Sequence, residues 1–479
     1  MTFMLSGFFV LGQESILLPS DYLKPEFHKG RREALREKMP ENSVAVFFAN
    51  PVRNRANDVD YVYHQDPNLY YLTGYKEPHA LLLIFKEEQQ GENGTYEELF
   101  FVQERNMMGE MWTGRRLGYK GARDRLGIMN SMNGSVFKDY PIDFEKFDKI
   151  LFYDFNNDVR DNPRDQADLY TLIEQFKTKV GYGMEANSLG VEPKKNNLDM
   201  STLDQYMSEL RGIKTPEELD LLRKAVFIST VGQREVMKAM KPGLSETEIQ
   251  GIHEFVFKKY GSEYEGYPSI VGAGNNGCIL HYIDNNKPEI NSKEMVLMDL
   301  GAEYHGYTAD VTRTIPVDGK FSPEEKAIYD LVYKSQQESM DMAKPGVTFG
   351  AMTAHSRNVI NKGLVELGII KDETERHLYY PHGLAHHIGL DVHDKGTYGQ
   401  LEENMVITVE PGIYIPEGAD CDPKWWGIAV RIEDDILITK DGYELLSSFA
   451  PRTTEEIEEL MKEASPLDAF TLPELKGGK

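Results

Sequence analysis

Four acidic residues stand where a carboxylate is costly. Asp299 lies within Met295-Val-Leu-Met-Asp-Leu-Gly301, and Glu410 follows Val406-Ile-Thr-Val409. Burial of either apolar run would strip water from the acid it carries. Asp310 opens Ala309-Asp-Val-Thr-Arg-Thr-Ile315, and Glu433 closes Ile428-Ala-Val-Arg-Ile432, so two separate stretches each carry a pair. Any one of these alone reads as an acid at a strand end facing water. Together they would repel one another strongly unless divalent cations compensate them. If the hairpin joining strands 294–300 and 309–317 is centred on Tyr304-His305, Asp299 and Asp310 face each other with Cβ atoms about 4.5–5.5 Å apart, a separation suited to a shared cation.

Five of the twelve histidines fall between positions 377 and 393, and such clustering points to a site. His281, in Ile279-Leu-His-Tyr282, is a further candidate, although a lone histidine of this kind is more often structural. Four carboxylates with one or two imidazoles make a hard, oxygen-rich donor set. It suits two Mn²⁺-like ions better than a closed thiolate zinc site. Such ions turn water into a usable nucleophile near neutral pH, which is hydrolase chemistry.

The elements that position these groups can be read around them. A chain of 479 residues at roughly 150 per domain allows two or three domains. Its 40% hydrophobic and 27% charged content excludes disordered and collagen-like classes. Lys and Arg number 53 against 78 Asp and Glu, a formal charge of −25 that opposes nucleic acid and anionic lipid as partners. Cys278 and Cys421 cannot build a disulfide framework. No run reaches the ~18 apolar residues of a membrane span. Residues 1–20 form a signal-like leader, with an apolar stretch from Phe3 to Gly12 and small residues before Gln13, but no Lys or Arg precedes Lys24. Localisation therefore stays open between export and the cytoplasm.

Short apolar runs at Ser43 to Phe48, Ala80 to Phe85 and Leu99 to Val102, with helical spacing from Ala167 to Phe176, predict an α/β N-terminal domain over 21–208. A second domain follows over 209–479, its first long helix announced by the capping signal Thr215-Pro-Glu-Glu218. Lys241-Pro-Gly-Leu-Ser245 recurs as Lys344-Pro-Gly-Val-Thr348, each copy followed by a helix and then strands. The repeat predicts an α+β domain with pseudo-twofold symmetry and ligands converging between its halves.

Four segments carry a resemblance: Asp299-Leu-Gly-Ala-Glu-Tyr-His-Gly-Tyr-Thr-Ala-Asp310, His382-Gly-Leu-Ala-His-His-Ile-Gly-Leu-Asp-Val-His393, Thr408-Val-Glu-Pro-Gly-Ile-Tyr414 and Val430-Arg-Ile-Glu-Asp434. In order and spacing they resemble the motifs of pita-bread-fold metallopeptidases. Tyr63 to Pro78 and Glu110-Met-Trp-Thr-Gly-Arg-Arg-Leu-Gly118 are similar to the N-terminal domain of the aminopeptidase P family. The resemblance implies a pita-bread catalytic domain behind an α/β N-terminal domain, and an Xaa-Pro aminopeptidase acting on peptides with proline at position two. It implies two metal ions, usually manganese, held by Asp299, Asp310, His386, Glu410 and Glu433, with Asp310 and Glu433 bridging. Glu410 would also shuttle the proton, His281, His382 and His393 would flank the scissile bond, and Tyr414 and Arg431 would line the proline side. Trp112 would border a neighbouring subunit's cleft in a homo-oligomer. His387 stands where the family commonly has an aromatic or apolar residue, which implies packing. Proline's tertiary amide lacks an N–H, so its recognition needs a dedicated pocket. Competing readings are a prolidase with the same five ligands, a binding module without catalysis, and a side activity on phosphorus esters.

Overall fold

Alternation along the early apolar runs produces a sheet buried on both faces. The computed structural model describes residues 21–91, 94–183 and 197–473, so the leader-like stretch from Phe3 to Gly12 lies outside the described residues. Six strands pair in the order Ser131–Asn133, Gly94–Val102, Ala80–Gly91, Ser43–Phe48, Lys149–Phe152 and Leu198–Asp199. Val44, Val46, Leu81, Leu83, Leu99 and Phe101 pack on one face with Phe137, Phe144 and Phe176. The alternate residues Ala45, Phe47, Leu82, Ile84, Phe100 and Val102 point to the other, which is the face turned toward the second half of the chain. There Leu69 and Tyr70 share a core with Leu221, Tyr307, Ile388 and Val406. No described helix is long and apolar enough to cross a membrane.

Helix Pro216–Ala239 starts at the sequence-encoded signal. The Thr215 side chain accepts from the Glu218 backbone, and the Glu218 carboxylate accepts from the Thr215 backbone, completing a capping box. It packs against Glu246–Lys259, as Pro323–Met342 packs against Phe349–Glu366. These two helix pairs cover short antiparallel strands: Ile270–Ala273, Met295–Leu300 and Val311–Pro316 in one half, and Val406–Val409, Gly412–Ile415, Ile428–Arg431 and Asp434–Ile438 in the other.

The repeat is structural and extends beyond its five residues. Gly243 and Gly346 both adopt left-handed backbone, with φ of 92° and 89°. The Gly243 N–H donates to Ile290 O and the Gly346 N–H to Leu401 O, at 2.8 and 2.9 Å. Ser245 and Thr348 then cap the following helices. One helix of each pair sends a buried glutamine into the strands: Gln233 Nε2 donates to Met298 O and Val311 O, and Gln336 Nε2 donates to Val409 O and Ile432 O. Met298 precedes Asp299, Val311 follows Asp310, and Val409 and Ile432 precede Glu410 and Glu433. Each half thus fixes its two acid-bearing strands with one amide.

The hairpin centre differs from the expected one. Tyr304 pairs with Tyr307 and Asp299 with Thr312, so the turn is His305-Gly306, and Asp310 sits on a diagonal from Asp299 rather than opposite it. Both turn residues have positive φ, 53° and 90°, the pattern of a type I′ turn that matches strand twist. The same register runs unbroken through Gly301, where the chains approach so closely that a Cβ would lie 1.7 Å from Ala309 O.

Candidate metal centre

The strand breaks deliver the acids to one place. Asp299 is the penultimate residue of the buried strand Met295–Leu300, Asp310 precedes the next strand, and Glu410 and Glu433 occupy the gaps that follow Val406–Val409 and Ile428–Arg431. Asp310, His386 and Glu433 each offer a ligand atom within 4.8 Å of the other two. His386 Nε2 lies 3.5 Å from Asp310 Oδ2 and 3.5 Å from Glu410 Oε1. Its Nδ1 lies 3.1 Å from His387 O, a contact that leaves Nε2 as the free lone pair facing the acids. Asp299 completes the group through Tyr267, whose hydroxyl is 2.5 Å from both Asp299 Oδ1 and Asp310 Oδ1.

Charge balance shows what this cluster lacks. Arg431 is the one cation bonded to these carboxylates among the described residues, its Nη2 donating to Asp299 Oδ2 at 2.5 Å. Burial alone would raise the Asp299 carboxyl, but Arg431 and Tyr267 bring it below its ordinary value. The others are not compensated. Burial, reinforced by Asp299 and Asp435, pushes Asp310 well up; burial, then Asp310 and Glu410, does the same to Glu433. Glu410 is pushed up to about 7, again chiefly by burial. Tyr267 has one proton for two carboxylates, so hydrogen bonding cannot satisfy both. A site of oxygens and one imidazole with this deficit fits two divalent cations.

The flanking groups have defined hydrogen bonds. Arg431 Nη1 donates to Tyr414 Oη at 2.9 Å, so the tyrosine's own proton is free for His382 Nε2 at 2.8 Å. His382 Nδ1–H then donates to Gly383 O at 2.8 Å, and the ring, lowered to about 4 by burial and Arg431, is neutral. Its Nδ1 is 3.5 Å from Glu410 Oε2. His393 stands edge-on to His386 with ring centroids 4.5 Å apart. Next to it, buried Asp394 pairs with Arg211 and, at 3.0 Å, with Lys214, tying the histidine loop to the junction between the two halves of the chain. His281 is exposed and close enough to His393 to act on its charge.

Three positions matter that sequence reasoning did not single out. Tyr267 is one. Thr312 Oγ1 donates to Glu433 Oε2 at 2.6 Å, and Asp435 Oδ2 accepts from the Asp310 N–H at 3.0 Å, so each supports a central acid. The acid run Glu433-Asp434-Asp435 was a visible signal for Asp435; nothing in spacing marks Tyr267. His387 is fully buried against Phe349 and Tyr398, with Nε2 3.0 Å from Thr397 O.

Trp112 is elsewhere within the chain. It lies on helix Met107–Thr113, 89% exposed beside Met107, Met108 and Met111, and borders a cavity of about 1500 Å³ whose lining includes none of the central acids.

Residues 220–440 match the model of metallopeptidase family M24, and residues 28–146 that of the aminopeptidase P N-terminal domain. The chain is 35% identical over 456 residues to the Xaa-Pro aminopeptidase of Escherichia coli, covering 92% of this chain and 98% of that one. It is 32% identical over 447 residues to the mitochondrial intermediate cleaving peptidase 55 of Arabidopsis thaliana, covering 92% and 83%. The solved structure of E. coli aminopeptidase P with the inhibitor Pro-Leu superposes with a TM-score of 0.81 at 34% identity, over 92% of this chain and 98% of that one.

Proposed function

We propose, from the premise that this chain belongs to metallopeptidase family M24 and carries the aminopeptidase P N-terminal domain on a pita-bread catalytic domain, that it is an Xaa-Pro aminopeptidase. It releases the first residue of peptides whose second residue is proline. The observation that carries the reading is the convergence of Asp299, Asp310, His386, Glu410 and Glu433 around an uncompensated negative charge, in a chain whose N-terminal half also matches. These five are the residues that would hold the metal, with Asp310, His386 and Glu433 the three whose ligand atoms lie nearest one another. The all-oxygen and imidazole donor set supports Mn²⁺ as the native ion. A division into 21–208 and 209–479 falls within helix Thr202–Gly212, which links the last strand of the first sheet, Leu198–Asp199, to helix Pro216–Ala239 of the second unit.

Divalent ions held by these residues would supply a nucleophile from water near neutral pH and polarise the scissile carbonyl. Glu410 takes the proton of the attacking water and passes it to the proline nitrogen, which must be protonated to leave. His382, kept neutral with its tautomer set by Tyr414 and Gly383, stands with Nδ1 3.5 Å from Glu410 Oε2 and bounds that side of the site. His393 and His281 flank the opposite edge and can donate to the developing oxyanion. Arg431 and Tyr414 form the floor on the proline side, and the substrate's free amino terminus approaches a metal or Asp299.

An aminopeptidase leaves the cleft open beyond proline, whereas a prolidase closes it around the proline carboxylate. The expected result is that kcat/KM for an X-Pro-Y tripeptide exceeds that for the matching X-Pro dipeptide at least ~10-fold, about 1.4 kcal/mol of transition-state binding. Side-by-side product analysis measures it, and equal rates or a dipeptide preference moves the assignment to prolidase.

The exposed Met107, Met108, Met111 and Trp112 favour a homo-oligomer in which Trp112 borders a neighbouring subunit's cleft. Sedimentation should show an oligomer whose dissociation on dilution lowers activity. A monomer with unchanged specific activity excludes this arrangement.

A further inference from the structure

We infer that Glu246, a buried acid outside the metal centre, is a positioning residue for His281. The inference rests on the aminopeptidase reading, in which His281 meets the developing oxyanion, and adds to it the group that fixes where that histidine stands. His281 does not place itself. Its side chain is exposed, and no hydrogen bond holds its ring among the described residues. Its location is therefore set by the backbone of the loop that carries it, which runs from Ala273, the end of strand Ile270–Ala273, to Lys287.

Glu246 controls that backbone. It is the first residue of helix Glu246–Lys259 and is fully buried. The Ala273 N–H and Asn276 Nδ2 donate to its Oε1 at 2.8 and 3.0 Å, and the Tyr282 hydroxyl and the Lys287 N–H donate to its Oε2 at 3.0 and 2.8 Å. All four donors are neutral groups of the loop, so the cost of burying this acid is offset only while the loop keeps its shape. Asn276 Nδ2 also donates to Tyr282 Oη at 2.9 Å, closing the network, and the Glu246 N–H donates to Lys287 O at 3.1 Å. One acid thus ties the start of the loop to its end, with His281 between them. Tyr282 carries the constraint inward: its ring shares a core with Leu297, on the Asp299 strand, and with Tyr414. From the metal side, Arg431 Nη2 lies 3.4 Å from Leu280 O and donates to Asp299 Oδ2. The two neighbours of His281 are therefore held from opposite sides, Leu280 by the centre and Tyr282 by Glu246.

The test is a double-substitution cycle on the Mn²⁺-loaded enzyme with the tripeptide Ala-Pro-Ala. In Glu246→Gln, either orientation of the amide turns its NH₂ toward a backbone donor, the Ala273 N–H or the Lys287 N–H, at almost unchanged volume. The expected kcat is at least ~10-fold lower with KM and bound metal unchanged, because a displaced donor weakens binding of the transition state and not of the substrate. His281→Ala should by itself cost at least ~10²-fold in kcat. Adding Glu246→Gln to it should cost no more than ~2-fold further, since the acid then has nothing left to position. Tyr282→Phe, which removes one donor and leaves the acid, should lower kcat in the same sense and lose that effect in the His281→Ala background. An unchanged kcat in folded Glu246→Gln, an effect of full size in both backgrounds, or loss of bound metal overturns the inference, because the acid then does not act through His281. Should Glu246→Gln not fold, the Tyr282→Phe cycle decides by the same criteria. An unimpaired His281→Ala enzyme removes the role of this histidine and its positioning together, leaving the peptidase reading intact. Failure of the wild type to cleave the tripeptide refutes the aminopeptidase reading itself, and the inference with it.

Discussion

Glu410→Gln is expected to lower kcat at least ~10²-fold while leaving the metal-free protein no less stable, so activity and stability separate. The low end of that range is what losing general acid–base help costs. Geometry makes the substitution nearly silent for the fold. The Glu410 N–H donates to Leu384 O at 2.8 Å, Pro411 follows, and Gln336 holds the preceding carbonyl, none of which needs the side chain's charge. The carboxylate itself is 3.5 Å from His386 and 3.5 Å from His382, distances an amide can keep. Burial drives its pKa up to about 7, so the charge costs stability in the absence of ions and is retained for chemistry. The measurements are kcat on an X-Pro-Y peptide, bound-metal content and the metal-free Tm. A variant with near-normal kcat and two bound ions removes Glu410 from the proton path.

What the sequence made legible follows a physical pattern. Acids inside apolar strands are rare enough that Asp299, Asp310, Glu410 and Glu433 announced themselves, and the capping box at Thr215 fixed the start of helix Pro216–Ala239 because its signals are local. The Lys-Pro-Gly repeat was readable for the same reason: its left-handed glycine and following cap are short-range requirements. Register was harder. A centre at Tyr304-His305 and one at His305-Gly306 differ by one residue, and the deciding feature is a histidine accepting positive φ in the turn, which composition does not reveal. Groups recruited from distant loops were invisible altogether. Tyr267 reaches both aspartates from an irregular stretch between strands Tyr264–Glu265 and Ile270–Ala273, with no periodicity to place it. Gln233 and Gln336 look like ordinary helix residues; their pairing emerges only when both halves are seen to bridge their acid-bearing strands alike.

Removing the metal should abolish activity and change how stability depends on pH, because the ligands are the groups whose charge is least tolerated. Asp310, Glu433 and Asp435 sit well above the ordinary carboxylate range and Glu410 near 7, all first through burial; neighbouring acids reinforce it at Asp310 and Glu433, while at Glu410 His386 and Arg431 offset part of it. A carboxyl whose folded pKa exceeds its unfolded value of about 4 binds more protons folded than unfolded between the two. Stability of the metal-free protein from these groups is therefore fully present below pH 4 and is lost as pH rises toward 7 and beyond. Divalent ions bind in competition with those protons, so their stabilisation grows over the same window. Asp299, a proposed ligand whose burial is outweighed by Arg431 and Tyr267, which bring it below its ordinary value, is already ionised across that window and adds no slope to it. Glu263, where burial is outweighed by bonds to His305 and Tyr22 that bring it down to about 2, lies outside the ligand set and titrates alike with and without ions. The expected result is no peptidase activity after chelation, recovery with Mn²⁺, and a Mn²⁺-induced rise in Tm larger at pH 7.5 than at pH 5. At a free ion concentration ~1,000 times Kd the stabilisation is about 4 kcal/mol per site. Full activity in protein shown by elemental analysis to be metal-free, or a Tm rise independent of pH, would mean that these carboxylates are balanced by something other than a bound cation.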